Sequence, residues 1–190
     1  MNGFYGECLR LEIFGQSHAE SVGMTLEGVP AGARVDFDAL MRFLQRRAPG
    51  RSEYSTARRE ADVPEFTSGL RGGVTDGAPI TAVIRNTDVR EHDYDALRTV
   101  PRPGHADYSA WLRYGSIPTG GGEFSGRMTA PLCIAGGICL QLIEAEGVSI
   151  RARVAEIGGA CNEDDMHDKI MQAKAEGDSV GGVIECTAEG

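Results

Sequence analysis

Apolar and polar positions alternate over residues 8–14, Cys8-Leu9-Arg10-Leu11-Glu12-Ile13-Phe14, and again over residues 22–27. Period-two alternation puts one set of side chains on one face of a sheet, so both stretches predict strands. Between them runs a polar loop, Gly15-Gln16-Ser17-His18-Ala19-Glu20, and Gly28-Val29-Pro30-Ala31-Gly32 turns the chain after the second. The period then changes. Asp36 predicts an N-cap for a helix in which Phe37, Leu40, Met41 and Leu44 share a face, with Arg42 and Arg46 elsewhere on the cylinder. Pro49 disfavours helical backbone at Ala48, so Arg46 and Arg47 fall in the last turn, where the helix dipole favours cations.

Residues 51–77 are polar and Gly-rich, too long for a simple connection, and predict a functional loop or a weak hairpin. Residues 79–85 are rich in β-branched side chains and give the clearest strand, closed by Asn86. A second irregular segment, 87–107, ends in Arg102-Pro103-Gly104-His105-Ala106-Asp107-Tyr108. A Gly-rich stretch at 120–129 then feeds an apolar run over 130–145, which predicts a buried helix. Its longest apolar stretch, 130–143, is short for a bilayer span and carries Gly136 and Gly137. Residues 148–157 read as a strand, Glu163-Asp164-Asp165 open a helix with Met166, Ile170 and Met171 on one face, and residues 180–186 give a last strand. Strands and helices mixed without strict alternation predict an α+β fold.

Composition narrows the function. With 41% hydrophobic and 25% charged residues the 190-residue chain is ordinary globular material, and a formal charge of −9 argues against nucleic acid as partner. Positive charge is nevertheless concentrated, with Arg42, Arg46, Arg47, Arg51, Arg58 and Arg59 in one segment, a pattern suited to a small anion. Dipole compensation and solvation account equally well for the arginines at the helix end. Five cysteines without a Cys-x-x-Cys pair predict a reduced, cytoplasmic protein, and residues 1–14 show no secretory signal. His and Cys spacings give no recognisable metal-ligand pair, so no metal is expected.

Two loops carry candidate chemistry. Arg102 can clamp an oxyanion while His105, three residues on, titrates near neutrality and can transfer a proton. The bland alternative is a turn whose Arg caps a carboxylate. Gly120-Gly121-Gly122 ahead of a helix offers backbone N–H groups to an anion, although it matches neither the Walker pattern nor Gly-x-Gly-x-x-Gly.

Three stretches together resemble chorismate synthase. The first is Gly15-Gln16-Ser17-His18 continuing to Gly28-Val29-Pro30. The second is Arg46-Arg47-Ala48-Pro49-Gly50 with Ser55-Thr56-Ala57-Arg58-Arg59-Glu60-Ala61-Asp62. The third joins Arg102-Pro103-Gly104-His105-Ala106-Asp107 to Gly120-Gly121-Gly122 and Ser125-Gly126-Arg127-Met128-Thr129-Ala130. The resemblance implies an anti 1,4-elimination of phosphate from 5-enolpyruvylshikimate 3-phosphate, giving chorismate with reduced FMN as cofactor and NADPH as a candidate reductant. It also implies a cytoplasmic homotetramer, with no nucleic acid or membrane partner, whose subunit layers helices between antiparallel sheets in a β-α-β sandwich. By motif position His18 and His105 are the implied catalytic imidazoles. Ser17, Arg47, Arg102 and Arg127 are implied for substrate, and Arg47, Glu123, Phe124 and Ser125 for the cofactor.

The chain departs from the family pattern at Glu53, at Glu123-Phe124, where Arg-Ser or Arg-Ala is common, and at Met128, where Glu is usual. Family members are about twice as long, and their C-terminal half carries an Arg-Ser-Asp motif that nothing here matches. Residues 1–190 are therefore expected to be the N-terminal portion of such a domain. The alternative is a truncated or split-enzyme module that binds anions or a partner chain without catalysis.

Overall fold

The computed structural model describes residues 6–50, 60–87 and 99–190. The expectations placed on Arg51, Glu53, Arg58 and Arg59 fall outside them. The predicted alternation becomes β1 (Arg10–Gly15) and β2 (Ser21–Glu27), which pair antiparallel with Ile13 opposite Met24. β2 also pairs with β6 (Ile80–Arg85), and β6 with β3 (Glu65–Ser68), giving an antiparallel sheet in the order β1-β2-β6-β3. The register sets Val22 opposite Ile84, Met24 opposite Ala82 and Leu26 opposite Ile80, so the buried members of both strands form one continuous apolar face. The polar stretch after residue 60 thus yields β3 and a short hairpin, β4 (Leu70–Arg71) with β5 (Val74–Thr75).

Two helices cover that face. α1 (Phe37–Arg47) starts where predicted, with the Asp36 carboxylate accepting from the Ala39 N–H at 2.9 Å, and buries Leu40 and Leu44. α3 (Thr129–Ala145) buries Ala130, Pro131, Ile134, Ala135, Gly137 and Ile138. At Gly137 the helices cross closely: a Cβ there would lie 2.6 Å from Leu40 Cδ1. Gln141 on α3 clasps the start of α1, accepting from the Asp36 N–H at 2.8 Å and donating to its carbonyl at 3.0 Å.

The apolar run differs from expectation in extent. With the 3-10 turn Gly126–Met128 in front of it, the helical segment Gly126–Ala145 reaches 20 residues, long and apolar enough by length and composition to cross a membrane. Packing argues for a core helix, since Ala130, Ile134 and Ile138 lie at zero exposure in the cluster with β2, β6 and α1. The run is also buried on one face only, Leu132 on the other being 47% exposed.

The remainder is a ribbon, β7 (Ser149–Ile157) paired with β8 (Gly182–Glu189), bridged by α4 (Glu163–Glu176). α4 has the expected acidic first turn, with Asn162 as its cap. One element was not foreseen. α2 (Asp107–Tyr114) buries Ala110 and leaves Tyr108, Trp111, Leu112 and Tyr114 exposed, so the helical spacing of Tyr108, Trp111 and Leu112 marks a solvent-facing stripe rather than a core one.

Candidate functional site

The loop after β1 is held from two sides. Ser17, 1% exposed, donates its N–H to the Gly122 carbonyl at 3.2 Å and its hydroxyl to the Gly120 carbonyl at 3.2 Å. Asn86, at the end of β6, donates from Nδ2 to the carbonyls of Gln16 at 3.1 Å and Ala19 at 2.7 Å. His18 is half-buried between these supports, and its ring rests against Gly120. Gly120 has φ 61°, and a Cβ on it would overlap the imidazole at Cδ2 and Nε2. Gly120, one of the three glycines expected to offer N–H groups to an anion, thus seats the histidine, while the Gly121 N–H donates to the Pro118 carbonyl at 3.2 Å.

Asn86 connects this loop to a buried ionic cluster. Its Oδ1 accepts from Arg127 Nε at 3.0 Å, and the Arg127 side chain is 2% exposed. Arg127 Nη1 pairs with Asp62 Oδ1; Nη2 lies 4.0 Å from Glu60 Oε2 and has no hydrogen-bond partner among the described residues. The other oxygen of Asp62 pairs with Arg47 Nη1, while Arg47 Nε donates to Thr129 Oγ1 at 3.1 Å. Glu60 in turn accepts from the Thr87 N–H at 3.0 Å and hydroxyl at 2.7 Å. Two guanidinium groups and two carboxylates thus share one dry spot, where each charge depends on its partners. Arg47, with 21% of its side chain exposed, is the more accessible of the two cations.

Arg102 and His105 sit on a loop closed by its own residues. Asp107, at the start of α2 and 1% exposed, accepts from Arg102 Nε at 2.7 Å, Nη2 at 2.9 Å and the backbone N–H at 3.1 Å. These bonds, the Arg102 side chain first, hold the Asp107 carboxyl below its ordinary pKa against the opposing effect of burial. His105 is exposed, with Nδ1 3.0 Å from the Pro103 carbonyl. A carbonyl only accepts, so Nδ1 carries the proton in the neutral ring and Nε2 is left as the acceptor.

The residues expected beside a cofactor lie on the turn that follows. Phe124, 44% exposed, tilts against Tyr114 with ring centroids 6.5 Å apart. The Tyr114 hydroxyl is pushed up in pKa, first by its hydrogen bond to Glu123. Ser125 Oγ accepts from the Arg127 N–H at 3.2 Å and caps the 3-10 turn. The structure thus links Ser17, His18, Arg47 and Arg127 through Asn86 and Asp62, whereas Arg102 bonds Asp107 and His105 bonds Pro103, both close by in the chain. Sequence reasoning named neither Asn86 nor Asp62 as a site residue. The signals available were an Asn closing a strand and, for Asp62, its place at the end of the second resembling stretch. What the assembly brings together is an imidazole on a loop tied through Asn86 to two guanidinium groups that share one carboxylate.

Known proteins give the family. The family profile described as Chorismate synthase matches residues 9–190. The chorismate synthase of Lancefieldella parvula is 51% identical over 160 residues, covering 83% of this chain and 42% of the relative. Those of Porphyromonas gingivalis and Chitinophaga pinensis are 39% and 41% identical over 95% and 100% of the chain, and 56% of each relative. The chain thus spans about half the length of the curated relatives it matches. A solved chorismate synthase crystal structure superposes with a TM-score of 0.69 at 22% identity, covering 96% of this chain and 58% of the other, which establishes the shared α+β fold. With the profile spanning nearly every residue and relatives this similar, the chain belongs to the chorismate synthase family.

Proposed function

We propose that this chain is the N-terminal portion of a chorismate synthase and supplies the anion clamp and proton donors for converting 5-enolpyruvylshikimate 3-phosphate to chorismate. The observation that carries the reading is the chain of bonds from the His18 loop through Asn86 to Arg127 and, across Asp62, to Arg47. The substrate has a phosphate and two carboxylates, which call for several guanidinium groups. Arg47, Arg102 and Arg127 hold these anions, with Ser17 supporting the loop beside them. A ring C–O bond and a ring C–H bond break, and phosphate and a proton leave. His18 delivers a proton to the departing phosphate, and His105 presents Nε2 for proton exchange near the cofactor. Both tasks suit an imidazole, whose ordinary pKa is near working pH.

The residues present fit the ring of a reduced FMN better than its phosphate. Phe124 and Tyr114 offer exposed aromatic surface, whereas the Glu123 carboxylate would repel an anion. Phe124, Ser125 and the uncharged edge of the Gly120–Gly122 backbone would hold the ring, with Arg47 the available cation for its anionic end. When bound, the reduced flavin supplies an electron transiently, with no net redox change. A cytoplasmic homotetramer with NADPH as reductant, and without a nucleic-acid or membrane partner, completes the proposal.

The experiment is anaerobic phosphate release from 5-enolpyruvylshikimate 3-phosphate with reduced FMN, run on the chain alone and complemented with the C-terminal half of a relative. Release that collapses in His105→Ala while substrate affinity holds supports the enzyme. Binding without release in every combination supports the alternative, an anion-binding module.

A further inference from the structure

We propose that Asp62 is the positioning residue of the anion clamp, one buried carboxylate that aims both Arg47 and Arg127. The inference rests on the reading of those arginines as substrate cations and adds the group that orients them. Each Asp62 oxygen takes a different guanidinium, Oδ1 that of Arg127 and Oδ2 that of Arg47. The two arginines come from distant places in the chain, the last turn of α1 and the 3-10 turn before α3, so their convergence needs a shared anchor.

The backbone at Asp62 supports a built role. Its φ is 51°, the one left-handed non-glycine conformation among the described residues. Such a conformation is unfavourable for most side chains, tolerated by Asp and Asn, and concentrated where surrounding structure imposes it. Its side chain is 1% exposed, so water cannot substitute for either guanidinium. A flexible Arg loses rotamer entropy on gripping an anion, and a guanidinium already fixed along one edge has lost most of it beforehand. Asp62 holds one Nη of each arginine. Arg47 Nε is further fixed by Thr129 and Arg127 Nε by Asn86, so both planes are set before ligand arrives.

Asp62→Asn keeps the shape and accepts the left-handed backbone, while it removes the charge and replaces one accepting oxygen by an amide nitrogen that can only donate. Three measurements go together: calorimetric affinity for 5-enolpyruvylshikimate 3-phosphate at 25 °C, the thermal midpoint, and the Nη resonances of Arg47 and Arg127. In the wild type these Nη signals should show slow rotation about Cζ–Nη. In folded Asp62→Asn rotation should quicken for both arginines, and affinity should fall about tenfold, the worth of one charge-assisted hydrogen bond. A lower midpoint with unchanged affinity and unchanged Nη rotation would mean a structural residue only, and would overturn the proposal. Should the variant not fold, the wild-type spectrum still decides: freely rotating Nη groups on either arginine refute it. Slow Nη rotation in a wild type that binds no substrate would leave Asp62 as the anchor while removing the substrate reading of the arginines.

Discussion

Replacing Gly120 by Ala tests whether the Gly-rich turn seats His18. The perturbation has two parts. Gly120 has φ 61°, and moving a Cβ residue into the left-handed region costs about 1–2 kcal/mol. The new methyl would also overlap the His18 ring at Cδ2 and Nε2, so the ring must shift, and forced overpacking costs a further 1–3 kcal/mol or so. Gly104 supplies the control, because its φ is 72° and a Cβ there meets nothing within 4 Å. Gly104→Ala therefore carries the backbone cost alone. At roughly 2–4 °C per kcal/mol for a chain of this size, Gly104→Ala should lower the thermal midpoint by about 2–8 °C and Gly120→Ala by about 4–20 °C. The assay is thermal unfolding by circular dichroism, paired with the imidazole NMR signals of His18 in each variant. Only Gly120→Ala should move them. Equal losses in midpoint, with His18 signals unchanged in both, would refute the seating argument and with it the proton-donor geometry built on it.

Two further outcomes follow from the same geometry. Because Arg102 depresses the Asp107 pKa in the folded state, the contribution of Asp107 is complete above the unfolded carboxyl value of about 4 and is lost as pH falls through the lower folded value. Urea midpoints at pH 7, 4 and 3 should therefore fall more steeply in the wild type than in Asp107→Asn, and parallel declines would contradict the assigned pairing. Burial raises the thiol pKa of Cys133 and Cys139, whereas Cys8, Cys161 and Cys186 are exposed. A thiol reagent at pH 8 should label Cys8, Cys161 and Cys186 quickly and Cys133 and Cys139 slowly, and uniform fast labelling would argue against α3 packing as described.

Elements whose residues declare their own periodicity were legible in the sequence. β1, β2 and β6 alternate, α1 announces its start at Asp36 and its end before Pro49, and α4 opens on three acidic residues. α2 was missed because the spacing of Tyr108, Trp111 and Leu112 covers barely two turns between a Pro-Gly loop and a Gly-rich turn, and the extension of α3 into the turn before it was missed because glycine and arginine there break the apolar pattern. The site residues followed the same division. His18, His105, Arg47, Arg102 and Arg127 are visible through motif and charge. Asn86 is not, and Asp62 shows only as the last residue of a resembling stretch, since each acts by touching residues far away in the chain.

The sequence by itself determined which segments are strands and helices, which loops carry arginine and histidine, and which family they resemble, because each of those properties is carried by neighbouring residues. Only the tertiary structure decided that Arg47 and Arg127 share one carboxylate, that Gly120 lies against His18, and that Arg102 is fixed by Asp107 on its own loop. Those facts depend on which side chains meet when β6, α1 and the turn before α3 pack together, and burial makes each meeting obligatory, since a charge removed from water must find its partner within the fold.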